Sequence, residues 1–154
     1  MKNGNHFPMD VLTMTIASIY NRPVKKIEPV RHIGPSDRIG TDPSAGVVRE
    51  EAFTASGVWS GVAFTEPGIV SGWHHHGNYE TSIYVESGKV RVDFGLNGEE
   101  FVEAETGDFV HVPAGVIHRE SNPGRVKNSL VLTRAGTGPT TFNVDSPDRI
   151  DASA

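Results

Sequence analysis

The sequence contains no cysteine, which excludes a disulfide framework, a thiolate-bound structural zinc and an iron–sulfur centre. A cytoplasmic location is expected on that basis, although cysteine usage does not by itself exclude export. Long apolar runs are missing too. Nothing approaches the roughly 20 residues a membrane span needs. The mildly apolar stretch from Val11 to Tyr20 is broken by Thr13, Thr15 and Ser18, so no signal peptide is expected. Positive charge is scarce, with 14 Lys and Arg against 19 Asp and Glu and a formal net charge of -5. A chain of this balance has no basic field for a phosphate backbone, and nucleic acid is not an expected partner. A sustained helical period is the last absence, which leaves strands as the expected regular element.

The 154 residues amount to one domain. Residues 1–45, rich in Pro, Gly, Asp and Ser, keep neither a helical nor a strand period and read as an irregular N-terminal arm. Its apolar pieces, Val11 to Tyr20 and Ile27 to Val30, could add an edge strand or short helix to the body or to a neighbouring subunit. Residues 46–145 change texture to short strand-like pieces punctuated by Gly, Pro and Asn, and residues 146–154 form a tail. In Lys89–Phe94 the alternation is clean, with Val90, Val92 and Phe94 on one face and Lys89, Arg91 and Asp93 on the other. Asn97-Gly98, between Phe94 and Phe101, is a hairpin signal because both residues tolerate positive φ. Many short strands at regular spacing predict an all-β antiparallel sandwich or barrel.

The chemistry is concentrated in GIVSGWHHHGNYETSIYVESG, residues 68–88. On an extended chain His74 and His76 point one way while Trp73 and His75 point the other, so one face offers two imidazoles. Glu80 follows four residues after His76. Imidazole and carboxylate together suit iron, manganese, nickel or zinc. A second stretch, GDFVHVPAGVIHRESN at residues 107–122, supplies a further histidine. Pro113 and Gly115 fit the second and fourth positions of a type I turn, which would deliver His118 on the next strand, sharing a face with the apolar Val116.

These two stretches resemble the paired motifs of the cupin superfamily. The first motif, Gly-x5-His-x-His-x3 or x4-Glu-x6-Gly, is matched by Gly68, His74, His76, Glu80 and Gly88, and the second, Gly-x5-Pro-x-Gly-x2-His-x3-Asn, by Gly107, Pro113, Gly115, His118 and Asn122. The resemblance implies a cupin double-stranded β-helix, a jelly-roll-like barrel, in which His74, His76, Glu80 and His118 hold one divalent metal ion. It is also similar to a group of small single-domain bacterial cupins. The departure is at Glu80, where seven residues rather than six precede Gly88. Counting back from Gly88 puts Thr81 in the ligand slot. The two registers turn opposite faces inward: Glu80, Ser82 and Tyr84 in one, Thr81, Ile83 and Val85 in the other. A β-bulge after Glu80 would reconcile them; otherwise Glu80 is a surface carboxylate beside a three-histidine metal.

Three imidazoles and at most one carboxylate leave positions open on an octahedral ion, where water, a bidentate substrate or dioxygen could bind. Iron would favour dioxygenase chemistry, manganese a decarboxylase or isomerase, zinc a binding or hydrolytic role. The expected function is a metal-dependent cupin acting on a small carboxylate or oxygenated metabolite; the alternative is a noncatalytic cupin that binds or senses a small molecule. His75, His111, Tyr84, Arg119 and Glu120 flank the ligand strands as secondary candidates, each with a solvated or outward-facing position as the plainer reading. His6 and His32 in the arm read as bystanders, and Trp59 and Trp73 as packing residues. Because small cupins commonly pair through their sheets, the resemblance also implies a homodimer.

Overall fold

A computed structural model describes residues 28–41 and 46–148. The chain divides into two packed units, Met1–His32 and Ile33–Ala154. Of the first, residues 28–32 are described and carry no regular element. The expectations for Val11 to Tyr20 and His6 lie outside the described residues. All the strands of the described residues belong to the second unit.

These strands are β1 (Ile39–Thr41), β2 (Val48–Ala55), β3 (Val58–Thr65), β4 (His74–His75), β5 (Glu80–Ser87), β6 (Lys89–Phe94), β7 (Glu100–Glu105), β8 (Phe109–Val112), β9 (His118–Ser121), β10 (Asn128–Ala135) and β11 (Phe142–Asn143). They form a six-stranded sheet in the order β1-β2-β3-β10-β5-β8 and a five-stranded sheet in the order β11-β4-β9-β6-β7. Neighbours in both sheets run antiparallel. This is the all-β antiparallel architecture the sequence predicted. Ile39–Thr41, inside the expected arm, pairs with β2 and extends the larger sheet.

Period-two alternation explains which faces meet. Along β3 the odd residues Trp59, Gly61, Ala63 and Thr65 are buried and the even ones half-buried; along β10 Asn128, Leu130, Leu132 and Arg134 are buried. Rows of register partners cross the larger sheet, such as Ala63, Leu130 and Val85. They pack in one core with Val90, Val92 and Ala104 of the smaller sheet. Each large aliphatic side chain so buried contributes roughly 1.5–3 kcal/mol.

Turn chemistry sets the register. Asn97 and Gly98 both take positive φ, 57° and 69°, between β6 and β7, as the hairpin signal required. The Pro113 turn lies one residue later than the sequence suggests. The amide of Val116 donates to the carbonyl of Pro113 at 3.2 Å, and Gly115 takes φ 73° at the third position rather than the fourth. Positive φ at that position is what a type II turn demands, and glycine meets it without strain. Asn122, immediately after β9, ties the sheets together: its Nδ2 donates to the carbonyls of Thr65 and Val126, and its Oδ1 accepts from the amide of Gly124.

Candidate metal centre

Two short strands of the smaller sheet carry His74, His75 and His118, and His76 directly follows the first of them. β4 is held on one side by β11, with Phe142 opposite His75 and Asn143 opposite His74, and on the other by β9, where His74 and His118 are register partners. Extended backbone sends His74 and His76 inward, where each is at most 2 % exposed, and leaves His75 outside, stacked on the Phe142 ring at 4.9 Å. The three inward rings form a triangle with centroid separations of 5.0, 4.4 and 5.0 Å.

Each ring is oriented by its Nδ1. His74 Nδ1 lies 3.0 Å from the carbonyl of Gly72, His76 Nδ1 2.7 Å from that of Thr140, and His118 Nδ1 2.9 Å from that of Val116. A carbonyl only accepts, so Nδ1 carries the proton and Nε2 is left with an unprotonated lone pair. All three Nε2 atoms are buried and have no hydrogen-bond partner among the described residues. Burial, aided by the positive charge of Arg134, lowers the His76 pKa to about 2. Burial likewise lowers that of His118 to about 4. Both rings are therefore neutral at pH 7, the form that can ligate a metal.

The carboxylate beside them is Glu120. Its oxygen and the three imidazole nitrogens lie within 4.8 Å of one another. Glu120 Oε2 is 3.5 Å from His74 Nε2 and accepts from Arg49 Nη2 at 3.0 Å. Burial, the largest single influence, would raise the Glu120 pKa, but the combined attraction of Arg49 and the three histidines outweighs it and holds the carboxyl below its usual range. Its backbone amide donates to the Ser71 hydroxyl at 2.9 Å, fixing the strand beside the site.

Glu80, expected beside the histidines, is not brought to them. β5 adopts the register counted back from Gly88, with Thr81, Ile83 and Val85 buried and Glu80 and Ser82 exposed. The irregularity in β5 comes at its far end, between the pairs Ser87–Ser129 and Val85–Leu130, and not after Glu80. Nothing therefore turns the carboxylate inward. It accepts instead from exposed His111 at 2.7 Å, which draws the Glu80 pKa down. The apolar interior decided the register: three inward hydroxyl or charged groups at 80, 82 and 84 would have displaced Ile83 and Val85 from the core.

Glu120 had a readable signal, since it shares strand parity with His118 and so points to the same face. Arg134 carried a weaker one, a charge closing the buried series Asn128, Leu130, Leu132. Among the secondary candidates, Tyr84 contacts Phe109 on the outer face and Arg119 pairs with Asp93 at 3.0 Å while lying over Trp73. A cavity of about 440 Å³ opens between β6 and β7 on one side and β8 on the other, walled by Val92, Phe94, Val102, Val110 and Val112 and reaching His118.

Comparison with known proteins agrees with this geometry. Residues 61–133 match the family model described as the Cupin domain. An uncharacterized conserved protein with a double-stranded β-helix domain from Klebsiella pneumoniae superposes with a TM-score of 0.61 at 16 % identity, covering 79 % of this chain and all of that one. A predicted oxalate decarboxylase from Thermotoga maritima gives a TM-score of 0.58 at 16 % identity, over 70 % of this chain and all of the other. A mutant of Bacillus subtilis oxalate decarboxylase gives 0.57 at 22 % identity, over 66 % of this chain and 29 % of that larger one. No curated protein sequence matches. At these identities the likeness is one of fold. Residues 61–133 are matched as a cupin domain, and the fold holds a His-His-His-Glu cluster compatible with metal binding.

Proposed function

Given the cupin domain matched over residues 61–133, we propose that His74, His76 and His118, with Glu120 as the carboxylate in reach, hold one divalent metal and that the protein uses it to act on a small organic acid. The observation that carries the reading is the set of three buried Nε2 lone pairs, each aimed by a carbonyl behind its ring and none hydrogen-bonded to a described protein group. Three electron-rich nitrogens and a carboxylate oxygen held this close in a dry site call for a cation. The donor set lacks sulfur and suits iron, manganese, nickel or zinc. When bound, such a metal supplies Lewis acidity toward a carboxylate or enolate and, if redox-active, a seat for dioxygen. The chain's own part is to orient the imidazoles, to keep His76 and His118 neutral, and to exclude water with the apolar walls of the cavity.

A second reading, a binding or sensing module, draws support from those same walls. Apart from buried His118, the acids and bases that line the cavity are Glu103, Asp108 and His111, all of them solvent-exposed. Elemental analysis of untagged protein, followed by assays of dioxygen uptake and carbon dioxide release with organic acids under the metal found, decides between the two. Bound metal with no turnover of any acid favours the sensor; absence of metal even after reconstitution removes the enzyme reading and leaves a ligand-binding or structural module. The homodimer is part of the same proposal, and sedimentation showing only monomer at micromolar concentration would sink it.

A further inference from the structure

The larger sheet places a polar pair opposite the histidines. Trp59, Arg134, Thr81 and Val112 are register partners across β3, β10, β5 and β8, and all four are buried on the inner face. Val112 is a wall of the cavity. Arg134 is 1 % exposed, its guanidinium lies 4.6 Å from the Trp59 ring, and its Nε and Nη2 have no hydrogen-bond partner among the described residues. The Oγ1 of Thr81, its neighbour across the strand pair, is buried and unpartnered as well. Nε and Nη2 form one edge of the planar guanidinium, the edge that takes a carboxylate through two parallel hydrogen bonds.

Charge decides what could satisfy that edge. The nearby buried acid, Glu120, is already paired with Arg49 at 3.0 Å. Arg134 forms no ion pair among the described residues, yet it acts electrostatically on His76. Among the described residues, the interior is therefore left with one uncompensated positive charge, and a divalent metal would add to it. A buried cation without a partner is costly, and a water could satisfy its hydrogen bonds but not its charge.

We propose that Arg134 and Thr81 form the receptor for the anionic group of the ligand. The carboxylate of a small organic acid would take the Nε and Nη2 edge and the Thr81 hydroxyl, its remaining oxygens turned toward the histidine centre. The inference rests on the metal reading above and narrows it to anions, excluding neutral oxygenated metabolites. Trp59, stacked on the receptor, is positioned to report occupancy.

The test uses full-length protein loaded with zinc, with oxalate as the probe because it is the smallest dicarboxylate, and oxamide as its neutral counterpart. Zinc content and calorimetric affinity are measured for wild type, Arg134→Met, Arg134→Lys and Thr81→Val. Oxalate affinity should fall about 10- to 100-fold in Arg134→Met and about 3- to 10-fold in Thr81→Val, with Arg134→Lys between them and zinc content equal throughout. Oxamide should bind weakly and alike to all four. Zinc retained and oxalate affinity unchanged in Arg134→Met overturns the receptor while leaving the metal centre standing, and so does zinc lost with Arg134. Should wild type take up no zinc, the metal reading fails, and oxalate is titrated into the metal-free Trp73→Phe protein while Trp59 emission is followed. A saturable response abolished by Arg134→Met supports the receptor; no response overturns it. If Arg134→Met does not fold, the nearly isosteric Thr81→Val carries the comparison.

Discussion

Two histidine–carboxylate groupings lie among the described residues of this barrel, and they differ in everything except residue type. His111 and Glu80 meet at 2.7 Å on the outer face of the larger sheet, both more than half exposed. His74, His76, His118 and Glu120 meet inside, all nearly inaccessible. The outer pair has water as an alternative partner at every atom, so its short hydrogen bond costs and gains little. The inner group has none, so each proton and each charge must be matched by the protein or by a ligand. Proximity of the right side chains does not make a site; removal from water does.

The largest expected effect comes from unbalancing the inner group. Glu120→Ala leaves the Arg49 guanidinium buried without its acid and should destabilise the protein by about 3–5 kcal/mol, read by urea denaturation. Glu120→Gln, which keeps an acceptor for Arg49, should lose less. Next comes His118→Ala. Loss of an outer supporting group typically costs 10- to 100-fold in metal affinity, and loss of a ligand should exceed about 100-fold. Zinc retained at wild-type level in His118→Ala, measured by elemental mass spectrometry, would break the contrast between the groupings.

Acid should separate them further. His118 has its pKa lowered from 6.5 to about 4 and His76 to about 2 in the metal-free fold. Their unfolded forms therefore bind protons first as the pH falls. The stability these neutral rings contribute is complete above about pH 6.5, is lost for His118 between there and about pH 4, and continues to be lost for His76 down to about pH 2. Each ring contributes up to about 1.4 kcal/mol per pH unit within its window. Metal-free protein should melt at progressively lower temperature from pH 7 to pH 5; a flat profile would contradict the burial argument. The smallest effect is expected outside. Glu80→Ala and His111→Ala should change neither zinc content nor melting temperature measurably, and a loss of zinc in Glu80→Ala would restore Glu80 to the centre.

Much of this is legible in the sequence. Alternation in Lys89–Phe94, the Asn97-Gly98 turn and the even spacing of short strands specify an antiparallel barrel, because side-chain parity and backbone conformation are local properties. Parity alone also puts His74 and His76 on one face and His75 on the other, as found. Ile69–His76 reads as a strand throughout, whereas regular pairing is confined to His74–His75, with Val70 bridging Ser121 in isolation. Pairing depends on what a neighbouring strand offers, which no window of sequence contains.

The remaining division is between local and cooperative quantities. The sequence by itself determined the fold class, the three inward histidines and the presence, but not the register, of the turn that brings His118 to them. Only the tertiary structure decided which carboxylate joins them. Glu80 and Thr81 are adjacent, and choosing between their registers required the apolar demand of the whole core, Ile83 and Val85 included. The same holds for Arg49, Arg134 and the Thr140 carbonyl behind His76, contributed by β2, β10 and the segment before β11. Their roles arise from burial and charge balance across sheets, and these are properties of the packed molecule.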